Sequence, residues 1–370
     1  MGAAWLRAWL RRVVGVRAVP LQDYRLLVSR IRAKHRVERS RDRDRVADRF
    51  RAVACRERCG WREAERRGGF RVRILVTGRN GQVGWELCRA LAPLGDVVAC
   101  GRETADLSKP ETLVALVASV KPDVIVNAAA YTAVDLAEEQ EALAHRVNAE
   151  SVGVLAQAAR AHDALLVHYS TDYVFDGTSG VPYVETMPTS PVNAYGRTKL
   201  AGEQAIEAVA GDWLTLRTTW VYGARGRNFL RTMLRLSHER DTLRVVADQI
   251  GAPTSARMIA DLTAHVVAHA QRERRAGQFE SGLFHMTAAG ATSWHGFASA
   301  IVDAARAARA EAVKTETVEP ISSDAYPTPA RRPANSILDN GKFDRRFMLQ
   351  RLDWRQALAL VIDDLGLEDR

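Results

Sequence analysis

Residues Ile74-Leu75-Val76-Thr77-Gly78-Arg79-Asn80-Gly81-Gln82-Val83-Gly84-Trp85-Glu86-Leu87 run without a break from a short apolar stretch through a glycine loop into helix-forming residues. A dinucleotide-binding strand, loop and helix follow one another in that order. Gly78 permits a tight turn, and Gly81 lets backbone approach a pyrophosphate. Gly84 lets the helix pack close to the strand, so that the helix N-terminus faces the phosphates. A glycine loop alone is weak evidence, since a plain turn has the same composition. The strands and helices downstream of it decide its meaning.

Apolar strands and helical patterns alternate from Val72 onward. The expected strands are Arg73 to Thr77, Val97 to Cys100, Val124 to Asn127, Leu165 to Tyr169 and Trp213 to Thr218. Helices are expected after Gly81, over Pro110 to Val120 and over a long stretch from Asp135 to His162. Strands that are apolar throughout belong to a parallel sheet buried on both faces. The expected fold class is therefore α/β, a Rossmann doubly wound parallel sheet over 72–222 that binds NAD(P). A smaller C-terminal part over 223–370 is expected to bind substrate, interleaved with the first because 282–287 reads as a strand returning to the sheet. The G-x-x-G-x-x-G spacing is the variant of short-chain dehydrogenases/reductases.

Tyr195 and Lys199 stand four apart on a helical stretch and so share a face. The ammonium can stabilise a developing phenolate and lower a phenol pKa that starts near ~10. Thr171, in Ser170-Thr171-Asp172-Tyr173-Val174-Phe175, ends the strand before that helix. Ligands of parallel α/β sheets bind outside the carboxyl ends of the strands, so its hydroxyl belongs beside the same site and can orient a carbonyl. Asn127-Ala128-Ala129-Ala130-Tyr131-Thr132 ends another strand at the same rim, with small residues that let a cofactor lie against backbone. Trp220 follows a third strand, placed to stack on or wall off a sugar ring, or to serve as a core aromatic.

The residue ending the second strand selects between dinucleotides, an acid binding the ribose hydroxyls of NAD and a base welcoming the 2′-phosphate of NADP. Here Gly101-Arg102 favours NADPH, while Glu103 next to it keeps NADH as the alternative. Asp106, followed by Leu107, could hydrogen-bond an adenine or be a solvated loop carboxylate.

The chain has 370 residues, 47% hydrophobic, enough for two packed domains. Its net charge of +9 is not evenly spread: residues 1–70 hold 20 Lys or Arg against 8 Asp or Glu, leaving the rest at −3. An electrostatic footprint for nucleic acid is thus missing from the enzyme-like body. The basic extension over 1–71 reads as disordered, as a solvated helix, or as upstream sequence added by a misplaced start, with Val72 standing where the initiating Met would be. Trp5, Leu6, Trp9 and Leu10 beside Arg7, Arg11 and Arg12 would also suit an anionic membrane surface. The arginines break any secretory signal, and no run is long enough to span a bilayer. Cys55 and Cys59 could form half a zinc site, but no second ligand pair follows. Cys88 and Cys100 read as reduced structural thiols.

The body from Val72 to near the C-terminus resembles the dTDP-4-dehydrorhamnose reductases, a family of extended short-chain reductases. The likeness is carried by Gly81 to Leu87, Asp123 to Ala130, Thr132-Ala133-Val134-Asp135, His168 to Phe175, Trp220-Val221-Tyr222 and Tyr326 to Pro333. It implies that Thr171, Tyr195 and Lys199 are catalytic, and that Gly81, Gln82, Val83, Ala130, Tyr131 and Thr132 contact the cofactor. Thr171, Asp172 and Trp220 would contact a dTDP-sugar, and the product would be dTDP-L-rhamnose, made in the cytoplasm. The basic extension has no counterpart in the family. Some members use Mg²⁺ at a dimer contact, but no ligand set for it is legible here, so no metal is expected and a homodimer is only a family-level expectation. Competing readings are another nucleotide-sugar reductase or epimerase, and a non-catalytic regulatory subunit of the same fold.

Overall fold

The computed structural model describes residues 72–366. The readings made for the basic extension and for Cys55 and Cys59 lie outside them. Six strands form one sheet: β1 (Val72–Thr77), β2 (Gly95–Cys100), β3 (Val124–Asn127), β4 (Leu165–Thr171), β5 (Trp213–Thr218) and β6 (Gly282–His285). Their order is β6-β5-β4-β3-β1-β2 and every pairing is parallel. The Rossmann-type α/β sheet expected from the strand pattern is present. β6, reached only after a long excursion, lies beside β5, with Gly282 opposite Leu214.

Side chains of successive strand residues point to opposite faces, and the core divides accordingly. Ile74, Val76, Val124, Val126, Leu165 and Val167 pack on one side, and Leu75, Ile125 and Leu166 on the other. Helices cover both sides. α1 (Gln82–Ala90) packs against the long helix Ala256–Ala276 on the first face, while α2 (Glu111–Val120), α3 (Ser151–Ala161) and α4 (Ala194–Val209) pack in sequence on the second. Each such core side chain, fully buried, contributes about 1.5–3 kcal/mol.

Two local departures from the expected pattern place the site. The helical stretch expected from Asp135 to His162 is interrupted, with one short helix over Val134–Ala137, another over Glu141–His145, and a π-turn over Arg146–Glu150 before α3. Within the π-turn lies Asn148, whose side chain clamps backbone: it accepts from the Tyr131 N–H at 2.8 Å and donates to the Tyr131 carbonyl at 3.1 Å. It also donates to Thr198 Oγ1 on α4 at 3.1 Å. π-turns of this kind gather at functional sites. Second, β4 continues two residues beyond Tyr169, so Ser170 and Thr171 are strand residues and Thr171 pairs with Thr218.

Beyond β5 the chain makes small sheets. Val221–Tyr222 pairs with Thr254–Ser255, Ile250–Gly251 with Thr292–Ser293, and Thr242–Val246 with Thr317–Ile321. The helix Trp294–Arg309 starts directly after the second of these pairs.

Candidate active site

Strand order reverses at β1, whose neighbours β2 and β3 lead in opposite directions, and a crevice opens at the carboxyl ends there. It holds a cleft of about 690 Å³ that extends from the glycine loop to the ends of β4 and β5. Of the residues named above for cofactor or sugar, all but Gly84, Glu103 and Asn127 line this cleft. Gly84 acts from behind, since a Cβ there would fall 2.0 Å from the Gly78 carbonyl oxygen. Gly78 itself has φ +75°, and a Cβ on it would come within 2.7 Å of the Ala129 nitrogen. The loop therefore needs glycine at both positions. Gly81, the N-cap of α1, makes no side-chain cap, which leaves the first N–H groups of the helix for an anion. These features fit a dinucleotide.

At the end of β2, Arg102 is largely exposed and sits 3.4 Å from Asp106. Asp106 also accepts from the Ser108 backbone N–H at 3.0 Å and from its hydroxyl at 2.8 Å. Glu103 pairs instead with Arg79, at 3.1 Å. Arg79, the second residue of the glycine loop, was not singled out by sequence, yet it pairs with the carboxylate next to Arg102 in the chain, one that would oppose a 2′-phosphate.

The end of the cleft that holds Tyr195 and Lys199 is fixed by α4. Asn193 caps this helix by accepting the Gly196 N–H at 2.8 Å, and Gly196 lies so near the Tyr173 carbonyl oxygen that a Cβ would meet it at 2.1 Å. That contact seats Tyr195 and Lys199 against the turn Asp172–Val174. Lys199 is buried and its ammonium donates to the Tyr169 carbonyl at 2.6 Å. Burial lowers its pKa to about 8, with Glu203 pulling the other way. The Tyr195 phenol is pushed well above its ordinary value, first by burial and then by the Asp172 carboxylate, with the Thr171 hydroxyl working against them. The lowering expected from a nearby lysine is therefore corrected: in the free protein desolvation wins, and Tyr195 holds its proton.

Asp172 is buried, and burial raises its carboxyl to about 6 despite nearby hydroxyls of Ser336, Thr171 and Thr219. Thr171 Oγ1 donates to its Oδ1 at 3.0 Å. Among the described residues its Oδ2 has no hydrogen-bond partner, and neither have the hydroxyls of Ser170, Thr218 and Thr219, all lining the cleft. Buried polar atoms left unpaired cost about 1–3 kcal/mol each. A ligand rich in hydroxyl groups would satisfy them.

Trp220 follows β5 in the left-handed region, φ +47°, a conformation that strains a bulky residue. Its ring stacks on Trp294 at 3.6 Å, and a Cβ at Gly251 would lie 2.6 Å from its Cε2. The stack leaves no room between the rings, so Gly251 lies on the other face. Trp220 thus presents an edge to the cleft and forms a wall. Arg332, within the Pro-rich segment, donates to Asp135 Oδ2 at 2.8 Å and to the Tyr173 hydroxyl at 3.3 Å. Two motifs 197 residues apart in sequence meet at this cleft.

The profile of the RmlD substrate binding domain matches residues 72–367. The chain belongs to the dTDP-4-dehydrorhamnose reductase family. It is 60% identical to the dTDP-4-dehydrorhamnose reductase of Burkholderia thailandensis over 80% of this chain and 99% of that protein. The Salmonella typhimurium reductase is 46% identical over 79% of this chain and 97% of its own. The crystal structure of a Bacillus anthracis str. Ames dTDP-4-dehydrorhamnose reductase in complex with NADP is 32% identical, with a TM-score of 0.72, covering 80% of this chain and 100% of that one. The enzyme class expected from Tyr195 and Lys199 is the class of this family. Sequence reasoning did not find Arg79, Asn148, Thr218, Thr219, Trp294 or Arg332. Only Arg332 carried a signal, its place in the Tyr326 to Pro333 motif.

Proposed function

We propose that this protein reduces dTDP-4-dehydro-L-rhamnose to dTDP-L-rhamnose at the expense of NADPH, with NADH as the alternative donor. The glycine loop and the uncapped N-terminus of α1 would hold the cofactor, which would supply the hydride for the new C4–H bond. As hydride arrives, the C4=O π electrons move onto oxygen and Tyr195 delivers its phenolic proton there, leaving a phenolate beside the Lys199 ammonium. Thr171 orients the keto oxygen. Asp172, Ser170, Thr218 and Thr219 take the sugar hydroxyls, and the edge of Trp220 walls the ring. Positioned general acid catalysis of this kind is worth about 10²- to 10⁴-fold.

One observation carries the sugar: the unpaired buried oxygens at the ends of β4 and β5 lie in the same cleft as Tyr195 and Lys199. Following NADPH absorbance with dTDP-4-dehydro-L-rhamnose tests the reading. Consumption with dTDP-L-rhamnose as product supports it, whereas cofactor binding without turnover would favour a regulatory subunit. We place the reaction in the cytoplasm, in keeping with the free thiols Cys88 and Cys100, and sedimentation tests the homodimer suggested by the family resemblance. No helix among the described residues is long and apolar enough to cross a membrane.

A further inference from the structure

Behind Lys199, away from the cleft, runs a line of buried polar side chains that the reaction as written leaves unused. Lys199 Nζ lies 3.1 Å from His168 Nε2, and His168 Nδ1 lies 3.0 Å from Asn127 Nδ2. The Asn127 amide oxygen accepts from Thr77 Oγ1 at 2.6 Å. All four side chains are buried, on β1, β3, β4 and α4. An apolar residue would fill the His168 position on a buried strand at less desolvation cost, so its polar ring needs a reason.

The reason lies in how an ammonium spends its three N–H groups. One goes to the Tyr169 carbonyl and one points at His168, which leaves a third for the cleft. Burial and the Lys199 charge both hold the His168 ring neutral, and a neutral imidazole offers one donor and one acceptor. An ammonium at Lys199 sets the rest. Nε2 accepts, Nδ1 carries the ring proton, and Asn127 takes it after the half-turn of its amide that exchanges oxygen and nitrogen; Thr77 remains a partner, and the 3.3 Å hydrogen bond from the Ala129 N–H is given up.

We propose that His168 is a positioning residue for Lys199: anchored through Asn127 and Thr77, it takes one N–H of the ammonium and so aims the remaining one at the nicotinamide ribose and Tyr195. This rests on the catalytic reading of Lys199 given above. The other groups around Lys199 cannot do the same. Tyr195 precedes it on α4, and Glu203 one turn later is tied to Arg217 of β5 at 2.6 and 2.8 Å, with His285 of β6 3.5 Å from that guanidinium. Hydrogen bonding to a charged form favours it, so removing the acceptor makes Lys199 lose its proton at lower pH.

The test compares turnover as a function of pH in the full chain with NADPH and dTDP-4-dehydro-L-rhamnose, for wild type, Lys199→Met, His168→Met, His168→Gln and Thr77→Val. Methionine fills the space without an acceptor, and glutamine restores an oxygen near the Nε2 position. Lys199→Met is expected to lose at least about a hundredfold in kcat. His168→Met should lose about tenfold, with the alkaline limb moved down by about one pH unit, and His168→Gln should return that limb to its wild-type place. A wild-type limb in His168→Met, whatever its rate, overturns the proposal and leaves the ring a space filler. If His168→Met does not fold, Thr77→Val decides: a smaller downward move supports the relay and an unmoved limb overturns it. Unchanged kcat in Lys199→Met would instead remove the catalytic reading on which the proposal stands.

Discussion

At the end of β1 the cleft is shaped by main chain, with Gly78 and Gly84 pressed against carbonyl oxygens and the bare N-terminus of α1 facing the ligand. At the ends of β4 and β5 it is shaped by buried side-chain oxygens, by a strained tryptophan and by Tyr195 and Lys199 on one helix face. The first end has no room for an added methyl group unless backbone shifts, because its constraint is close approach. The second end keeps polar atoms short of partners and one carboxyl well above its ordinary pKa, so it stores an energetic cost that a sugar would relieve. Affinity for the cofactor and recognition of the sugar are thereby separable.

Substitutions can break that separation if it is wrong. The largest effect is expected from Tyr195→Phe. Its turnover should fall about 10²- to 10⁴-fold while the NADPH dissociation constant, read by fluorescence titration, stays within about twofold of wild type. A joint loss of both would show that the two ends are one unit.

Asp172→Asn should be next. Burial raises the folded-state carboxyl to about 6 from an ordinary 3.8, so the group favours folding fully only below the unfolded value. That contribution is lost between about pH 4 and 6 and stays lost above. Replacing the carboxyl by an amide should therefore stabilise the free protein by about 3 kcal/mol at pH 8 and by little at pH 4. Denaturant melts at the two pH values check this. The same variant should bind the sugar nucleotide more weakly. Equal stability of the two proteins at pH 8 would contradict the stored cost.

Much of the first end was legible in sequence, because a glycine loop is local: its residues act on one another within a single turn. The pair Tyr195 and Lys199 was legible for the same reason, as neighbours on one helix. The second end was not. Asp135 meets Arg332, Trp220 meets Trp294, and Gln82 accepts from Asn228 at 2.8 Å, and no spacing announces such pairs. Nor could sequence show that Tyr195 would be desolvated, which reversed the expected direction of its pKa. The helical pattern over Asp135 to His162 hid a π-turn, and periodicity does not reveal that Asn148 within it holds Tyr131.

Two smaller effects sharpen the contrast. Gly84→Ala should raise the NADPH dissociation constant about tenfold, since about 1–3 kcal/mol of overpacking falls on the loop, while kcat at saturating cofactor stays near wild type. Glu103→Gln should release Arg79 and raise the preference for NADPH over NADH about threefold, the scale of an exposed ion pair. The ratio of kcat/KM for the two cofactors reads it, and an unchanged ratio would leave Arg102 as the selecting group.

The most direct test of hydride delivery with Tyr195 as the acid tracks the hydrogen itself. With NADPH deuterated at the transferring C4 position and dTDP-4-dehydro-L-rhamnose as substrate, this mechanism predicts dTDP-L-rhamnose carrying one deuterium at sugar C4, at a rate that Tyr195→Phe lowers about 10²- to 10⁴-fold together with NADPH oxidation. Product without deuterium at C4, or sugar conversion without net loss of NADPH, would contradict it.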